Sequence, residues 1–327
     1  MTPDYMAAEQ EFKKAKSYEE RIAALEKMLS TMPKHKGTEK LQSDIKHKLA
    51  KMRELEEIGK SKGAGKRGGV YTIPREGAGQ AAVIGPPNSG KSSILGHFTK
   101  AQVEIADYPY TTRILQPGMM PFQNVQIQLV DTPALSQEIF ETWMTSVIRS
   151  ADITLLVVDL SSATLLDDIE FIRSRLKEKK IELVRRSEEK IDPEGLARIK
   201  TLIVGTHLDA EGAKDNLDAL KELYASEFDV LSMSFLSGEG AEKFPEIIYN
   251  ALEVVRVYTK TPGKHADKSD PVVLRRGSTV ADFASGIHKD IARNLKYARI
   301  WSKNKPDGLR VPRDYVFEDE DICELHS

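Results

Sequence analysis

Three short stretches in this chain carry residue types suited to handling a polyphosphate. The first, Gly85-Pro86-Pro87-Asn88-Ser89-Gly90-Lys91-Ser92, satisfies the pattern G-x-x-x-x-G-K-[ST] at every specified position. Backbone N–H groups of a tight glycine-containing turn, backed by a helix N-terminus, converge on phosphate oxygens with no bulky side chain in the way. Lys91 then reaches the β and γ phosphates, Ser92 holds Mg²⁺, and Ser93 continues into the helix. The second stretch, Asp131-Thr132-Pro133-Ala134, follows an apolar run and sets a carboxylate where it can hold Mg²⁺, usually through the ion's water. Between the two lies Asp107-Tyr108-Pro109-Tyr110-Thr111-Thr112, able to swing a threonine hydroxyl onto the metal, with Thr112 preferred to Thr111. In the third, Gly205-Thr206-His207-Leu208-Asp209, the Asp209 carboxylate can accept from N1 and N2 of guanine. Adenine offers no such pair. Ser234-Phe235-Leu236 then closes over the base.

These residues need a scaffold that gathers them at one edge. Ala81–Ile84 reads as a buried strand and Ser93–Phe98 as a helix, so the first motif sits between strand and helix. Apolar runs at Val125–Val130, Ile153–Val158 and Leu202–Val204 alternate with helical segments at Asp167–Lys179 and Gly212–Ser226. That rhythm predicts an α/β fold, a mainly parallel sheet with helices on both faces, whose ligands sit beyond the carboxyl ends of the strands. Upstream, Tyr18, Ile22, Leu25 and Leu29 form one helical stripe, and Leu41, Ile45, Leu49, Met52 and Leu55 form a second after the break at Pro33–Gly37. This predicts a helical hairpin, packing on itself or on the next domain, or serving as a docking arm for a regulatory protein. Lys60–Gly69 has four basic residues, four glycines and no acid, the composition of a basic linker. The expected organisation is a hairpin over 1–59, the linker over 60–79, a nucleotide domain over 80–253 and a tail module over 254–327.

With 327 residues, a net charge of −2 and 30% charged residues, the composition is that of a soluble, multi-domain protein. Cys323 is the only cysteine, which excludes an intrachain disulfide and fits a reducing cytoplasm. No run of eighteen apolar residues predicts a membrane span.

Taken together, the motifs resemble those of the Obg-type GTPases, and specifically of the developmentally regulated GTP-binding proteins with a C-terminal TGS domain. The similarity includes Ala106–Thr112, Ile127–Asp131 and, in the tail, Arg256–Lys260, Thr279–Phe283, Lys296–Trp301 and Asp314–Asp321. It implies a P-loop GTPase domain followed by a ubiquitin-like (β-grasp) TGS module. The implied activity is hydrolysis of GTP to GDP as a molecular switch. The implied partners are RNA or the ribosome, contacted through the tail and linker.

The departures from that family matter too. Ala134 stands where glycine is usual, Thr206 where asparagine is usual, His207 where lysine is usual, and Leu135 where many GTPases place a water-orienting glutamine. Leu135, Ala134 and Thr206 favour a rival reading, a nucleotide-dependent RNA- or protein-binding module with little hydrolysis. Asn88 resembles the potassium-coordinating asparagine of cation-dependent GTPases, which adds Asn88 to Lys91 and Thr112 as a catalytic candidate and implies a K⁺-stimulated, intrinsically slow reaction. The long domain that some relatives insert after the Asp-x-Pro-Gly element is expected to be missing or reduced.

Residues Lys260–Arg313 carry 13 Lys/Arg against five Asp, a local charge of +8. A basic sheet with Tyr297 and Trp301 on one strand face suits RNA, lysines on phosphates and rings on bases. Against this stands a core role for the rings, to which Trp301 is assigned.

Overall fold

The computed structural model describes residues 12, 18–31, 45, 49, 73–99, 116–136, 142–186, 191–303 and 305–326. Contacts divide the chain into two units, Met1–Val70 and Tyr71–Ser327. In the first, helix α1 (Tyr18–Thr31) turns Leu25 and Met28 onto Ile45 and Leu49, with Phe12, Ile22 and Leu29 around them. Ile22, Leu25 and Leu29 of the first predicted stripe thus share a cluster with Ile45 and Leu49 of the second. Lys60–Gly69 and Ala106–Thr112 lie outside the described residues, but Ile73–Gly79, expected to be linker, belong to the second unit: Ile73 is buried in its core, Pro74 accepts from the Gln128 amide and Gly77 bridges Ile127.

In the second unit a seven-stranded sheet runs in the order β2-β3-β1-β4-β6-β5, with β7 also paired to β6. The strands are β1 (Gln80–Ile84), β2 (Gln116–Phe122), β3 (Val125–Asp131), β4 (Ile153–Asp159), β5 (Ile181–Val184), β6 (Ala197–Thr206) and β7 (Asp229–Ser232). All neighbours are parallel except β2, which returns antiparallel along β3. Strands buried on both faces must be apolar throughout, and β1 and β4 meet that condition. On one face Ile84, Val130, Leu156 and Ile203 pack against α3 (Thr142–Ser150), α4 (Leu165–Glu178) and α5 (Ala213–Tyr224). On the other, Val83, Leu129, Leu155 and Val204 pack against α2 (Lys91–Phe98) and α6 (Phe244–Ala251). Each such fully buried aliphatic side chain contributes about 1.5–3 kcal/mol.

Two strands escaped the sequence reading for identifiable reasons. β2, Gln-Pro-Gly-Met-Met-Pro-Phe, holds two prolines and a glycine, which a central strand could not accommodate. It lies at the end of the sheet among the described residues, where a missing N–H breaks no ladder. β5 has four residues and pairs with the first half of β6. That half alternates, burying Ala197 and Ile199 and leaving Arg198 and Lys200 half-exposed, so β6 is longer than its apolar stretch. Among the described residues no inserted domain separates Asp131 from Thr206.

From Val254 onward a second sheet runs in the order β11-β10-β12-β8-β9: β8 (Val254–Thr259), β9 (Val272–Arg275), β10 (Tyr297–Trp301), β11 (Leu309–Val311) and β12 (Asp321–His326). Helix α7 (Val280–Ile287) crosses it, and α8 (Lys289–Asn294) follows. A capping box starts α7: Thr279 accepts from the Asp282 N–H while the Asp282 carboxylate accepts from the Thr279 N–H at 2.7 Å. Phe283 and Ala284 then reach Val257, Ala298, Ile300 and Phe317.

Trp301 does not fill this core. Along β10 it is Ala298 and Ile300 that point inward, and Tyr297, Arg299 and Trp301 share the outer face. Arg310 lies 3.9 Å over the Tyr297 ring, which stacks on His326, and Lys260 lies 4.4 Å over Trp301.

Candidate nucleotide site

Parallel register brings the predicted stretches to one edge of the first sheet. Val83 pairs with Asp131, and Asp159 with Thr206, so the loop leaving β1 is flanked by the ends of β3, β4 and β6. The loop Gly85–Gly90 passes so close to β4 that a Cβ on Gly85 would sit 2.1 Å from the Val157 carbonyl. At Gly90 φ is +84°, and an added Cβ would meet the Thr206 methyl at 3.1 Å. Helix α2 opens directly behind, at Lys91 rather than Ser93.

Within the loop the buried Lys91 ammonium donates to the Pro86 carbonyl at 2.6 Å and to Ser89 Oγ at 3.4 Å. Ser92 Oγ donates to Asp131 Oδ2 at 2.8 Å. The other oxygen, Asp131 Oδ1, is buried and has no hydrogen-bond partner among the described residues. Burial lowers the Lys91 pKa, with Asp131 opposing, and burial raises the Asp131 pKa against the bond from Ser92. A hydroxyl and a half-satisfied carboxylate, both hard oxygen donors, fit Mg²⁺.

The remaining residues after β3 turn inward. Thr132, 2% exposed, commits both its hydroxyl, at 2.8 Å, and its N–H, at 3.2 Å, to the Val83 carbonyl, so neither donor points at a ligand. Leu135 sends its N–H to the Gly85 carbonyl and its side chain into the core, while Ala134 stays half-buried. Asn88 is exposed at φ +60°, and its amide makes no hydrogen bond among the described residues. Thr112 lies outside the described residues.

Thr206 is fully buried, and its hydroxyl lies 3.0 Å from the Ser89 carbonyl and 3.2 Å from that of Val158, tying β6 to the loop and to β4. His207, at φ +55°, sets Nδ1 3.0 Å from Asp159 Oδ1. Burial would raise the Asp159 pKa, but the bonds from Ser161 outweigh it, with His207 adding, so the carboxyl titrates below its ordinary range. Asp159 was not singled out from sequence, although a carboxylate ending a parallel strand beside the loop was a readable signal. Ser234 Oγ donates to Asp209 Oδ1, which orients that carboxylate. Phe235 packs against His97 and Phe98, and Leu236 is 88% exposed.

Comparison with known families agrees with this geometry. A family described as a 50S ribosome-binding GTPase matches residues 80–187, and the TGS domain matches residues 255–327. The chain joins a GTPase-type domain to a C-terminal TGS domain. It is 29% identical to an uncharacterised GTP-binding protein of Methanocaldococcus jannaschii, over 94% of this chain and 92% of that one. It is 26% identical to developmentally-regulated G-protein 3 of Arabidopsis thaliana, over 94% of this chain and 98% of that one. In fold it is similar to a GTP-binding protein of Pyrococcus horikoshii OT3, with a TM-score of 0.52 at 17% identity over 76% of this chain and 99% of that one. The Schizosaccharomyces pombe YchF GTPase gives 0.52 at 16% identity, over 78% and 99%. The GTPase and TGS domains are thus the expected pair, and guanine-nucleotide binding follows from the first.

Proposed function

We propose that the protein hydrolyses GTP to GDP as a switch, with Mg²⁺ between Ser92, Asp131 and the phosphates. The observation that carries this is the Ser92–Asp131 contact beside an unsatisfied, buried Asp131 oxygen. Bound Mg²⁺ would neutralise charge building on the β and γ phosphates. Lys91 would leave the Pro86 carbonyl for phosphate oxygens, Thr112 would close over the γ-phosphate, and Asp209 would select guanine, with the backbone of Ala134 and the Ser234–Leu236 loop lining the site and Thr132 bracing it from behind.

Leu135, buried in the core, has no means of orienting the attacking water. Intrinsic hydrolysis is therefore slow, and K⁺ held at the free Asn88 amide would supply the missing positive charge. The same observation favours the second reading, a module that binds nucleotide but scarcely hydrolyses it. Phosphate release under multiple turnover, with GTP and ATP, in KCl and NaCl at equal ionic strength, separates these. GTP should be used and ATP not, K⁺ should accelerate the reaction, and Asn88→Ala should remove the difference while sparing GTP binding. Equal rates in the two salts would eliminate the potassium role.

The partner fitted by the TGS domain is RNA, in the ribosome or free in the cytoplasm. Lys260, Lys264, His265, Lys268 and Trp301 line one hollow on it, within the segment of charge +8. Ribosome co-sedimentation should weaken steeply with salt, and Lys264→Glu with Lys268→Glu should reduce it. A regulatory protein at the N-terminal helices is a further proposed contact.

A further inference from the structure

Both switch-forming stretches are continuous with one hairpin. β2 follows the Thr112 segment, β3 ends at Asp131, and the turn joining them, Gln123-Asn124, lies at the opposite end of the strands from the nucleotide. A two-residue turn with positive φ at its first position favours glycine there. This chain has Gln123 instead, at φ +51°. A strained residue of this kind persists where its surroundings over-determine it.

The surroundings come from the TGS domain. Arg256 on β8, its side chain 4% exposed, donates through Nη1 to Gln123 Oε1 and to Asn124 Oδ1, the latter at 3.1 Å. Its remaining guanidinium donors go to Asp319 at 2.6 and 3.1 Å and to Glu320 at 3.1 Å. Asn124 Nδ2 in turn donates to the Tyr258 hydroxyl at 2.7 Å and to the Lys268 carbonyl at 3.1 Å. The GTPase domain's own α6 joins in: Tyr249 donates to Asp319 at 3.0 Å and stacks on Phe122, the residue before the turn. Every polar side-chain atom of Arg256 is engaged, so the guanidinium has one position, and the turn takes its position from it.

We propose that Arg256 is a positioning residue of the nucleotide site, acting through the β2–β3 hairpin. It pins the turn to α6 and thereby fixes the register in which β3 presents Asp131 to Ser92 and the metal. The TGS domain is then part of what holds nucleotide, as well as a surface for partners. A ligand that shifts β8 would alter nucleotide affinity, and by linkage nucleotide would alter affinity for that ligand by the same factor. The inference rests on the reading that Asp131 faces bound Mg²⁺.

The test uses the full chain and the dissociation rate of a fluorescent GDP analogue across a Mg²⁺ titration. The parent's GDP affinity, measured first, checks the reading on which the proposal rests; absence of binding would overturn both together. Gln123→Gly combined with Asn124→Ala detaches the turn while relieving its strain, so the fold is not put at risk. Release should accelerate at least about fivefold, the low end of common coupling factors, and require more Mg²⁺ to slow it. Arg256→Met should accelerate release similarly in the parent and add nothing in the detached-turn background. Release unchanged within twofold on detaching the turn would overturn the proposal. So would a full additional effect of Arg256→Met in that background, since Arg256 would then act by another route.

Discussion

Replacing Thr206 by valine removes one hydroxyl and almost no volume. That hydroxyl has a single hydrogen, with the Ser89 carbonyl at 3.0 Å and the Val158 carbonyl at 3.2 Å as acceptors, all three residues buried. Loss of a buried hydrogen bond costs about 1–2 kcal/mol. If the bond holds the phosphate loop in its binding form, GTP affinity falls by about 5–30-fold, since each ~1.4 kcal/mol is tenfold. If it serves the fold alone, the melting temperature drops and affinity does not. Equilibrium binding of a fluorescent GTP analogue, with melting curves of the nucleotide-free protein, distinguishes the two, and Thr206→Ser should restore binding. A dissociation constant for Thr206→Val within twofold of the parent would refute the assignment of Thr206 as the tie between base loop and phosphate loop.

Asp209→Asn should move preference from guanine toward xanthine, read by competition of GTP and XTP for the fluorescent analogue; undiminished GTP binding would remove Asp209 from the base site. Cys323, 2% exposed in the TGS core, has its thiol pushed up to about 12 by burial, with Asp321 and Glu324 adding. It should resist a thiol reagent at pH 8 and react only on unfolding, so rapid labelling of native protein would contradict the packing. Burial works to raise the Asp319 and Glu324 pKa values, yet bonds from Arg256 and from Lys260 and His326 leave both depressed. Their stabilisation is complete above the unfolded values of about 3.9 and 4.3 and is lost as pH falls through the folded ones. Urea midpoints should therefore hold near pH 6 and fall below about pH 4, and Asp319→Asn should flatten that fall.

The phosphate loop was legible because its chemistry is local: eight consecutive residues supply turn, donors and lysine, and neighbouring strands only press it into shape. The alternation of strand and helix was legible for the same reason, since apolar runs and helical stripes repeat along the chain. What could not be read depends on pairs far apart. Arg256 looked like one more residue of the TGS resemblance because its partners Gln123 and Asn124 are more than a hundred positions away. The strand β2 was hidden by prolines that only an edge position tolerates. The sequence assigns Trp301 to the small core of the tail, but the strand's alternation gives that interior to Ala298 and Ile300.

Those prolines have a consequence of their own. Pro117 and Pro121 are four apart, so their ring nitrogens face the same side of β2, and the ladder to β3 runs the whole length of the strand. The proline side is therefore the outer one, where among the described residues of the strand only Met119 can offer an N–H to a passing strand. A foreign β-strand would find too few donors to zip onto, which guards this border of the sheet against self-association while the chain is crowded among nascent and partly folded neighbours.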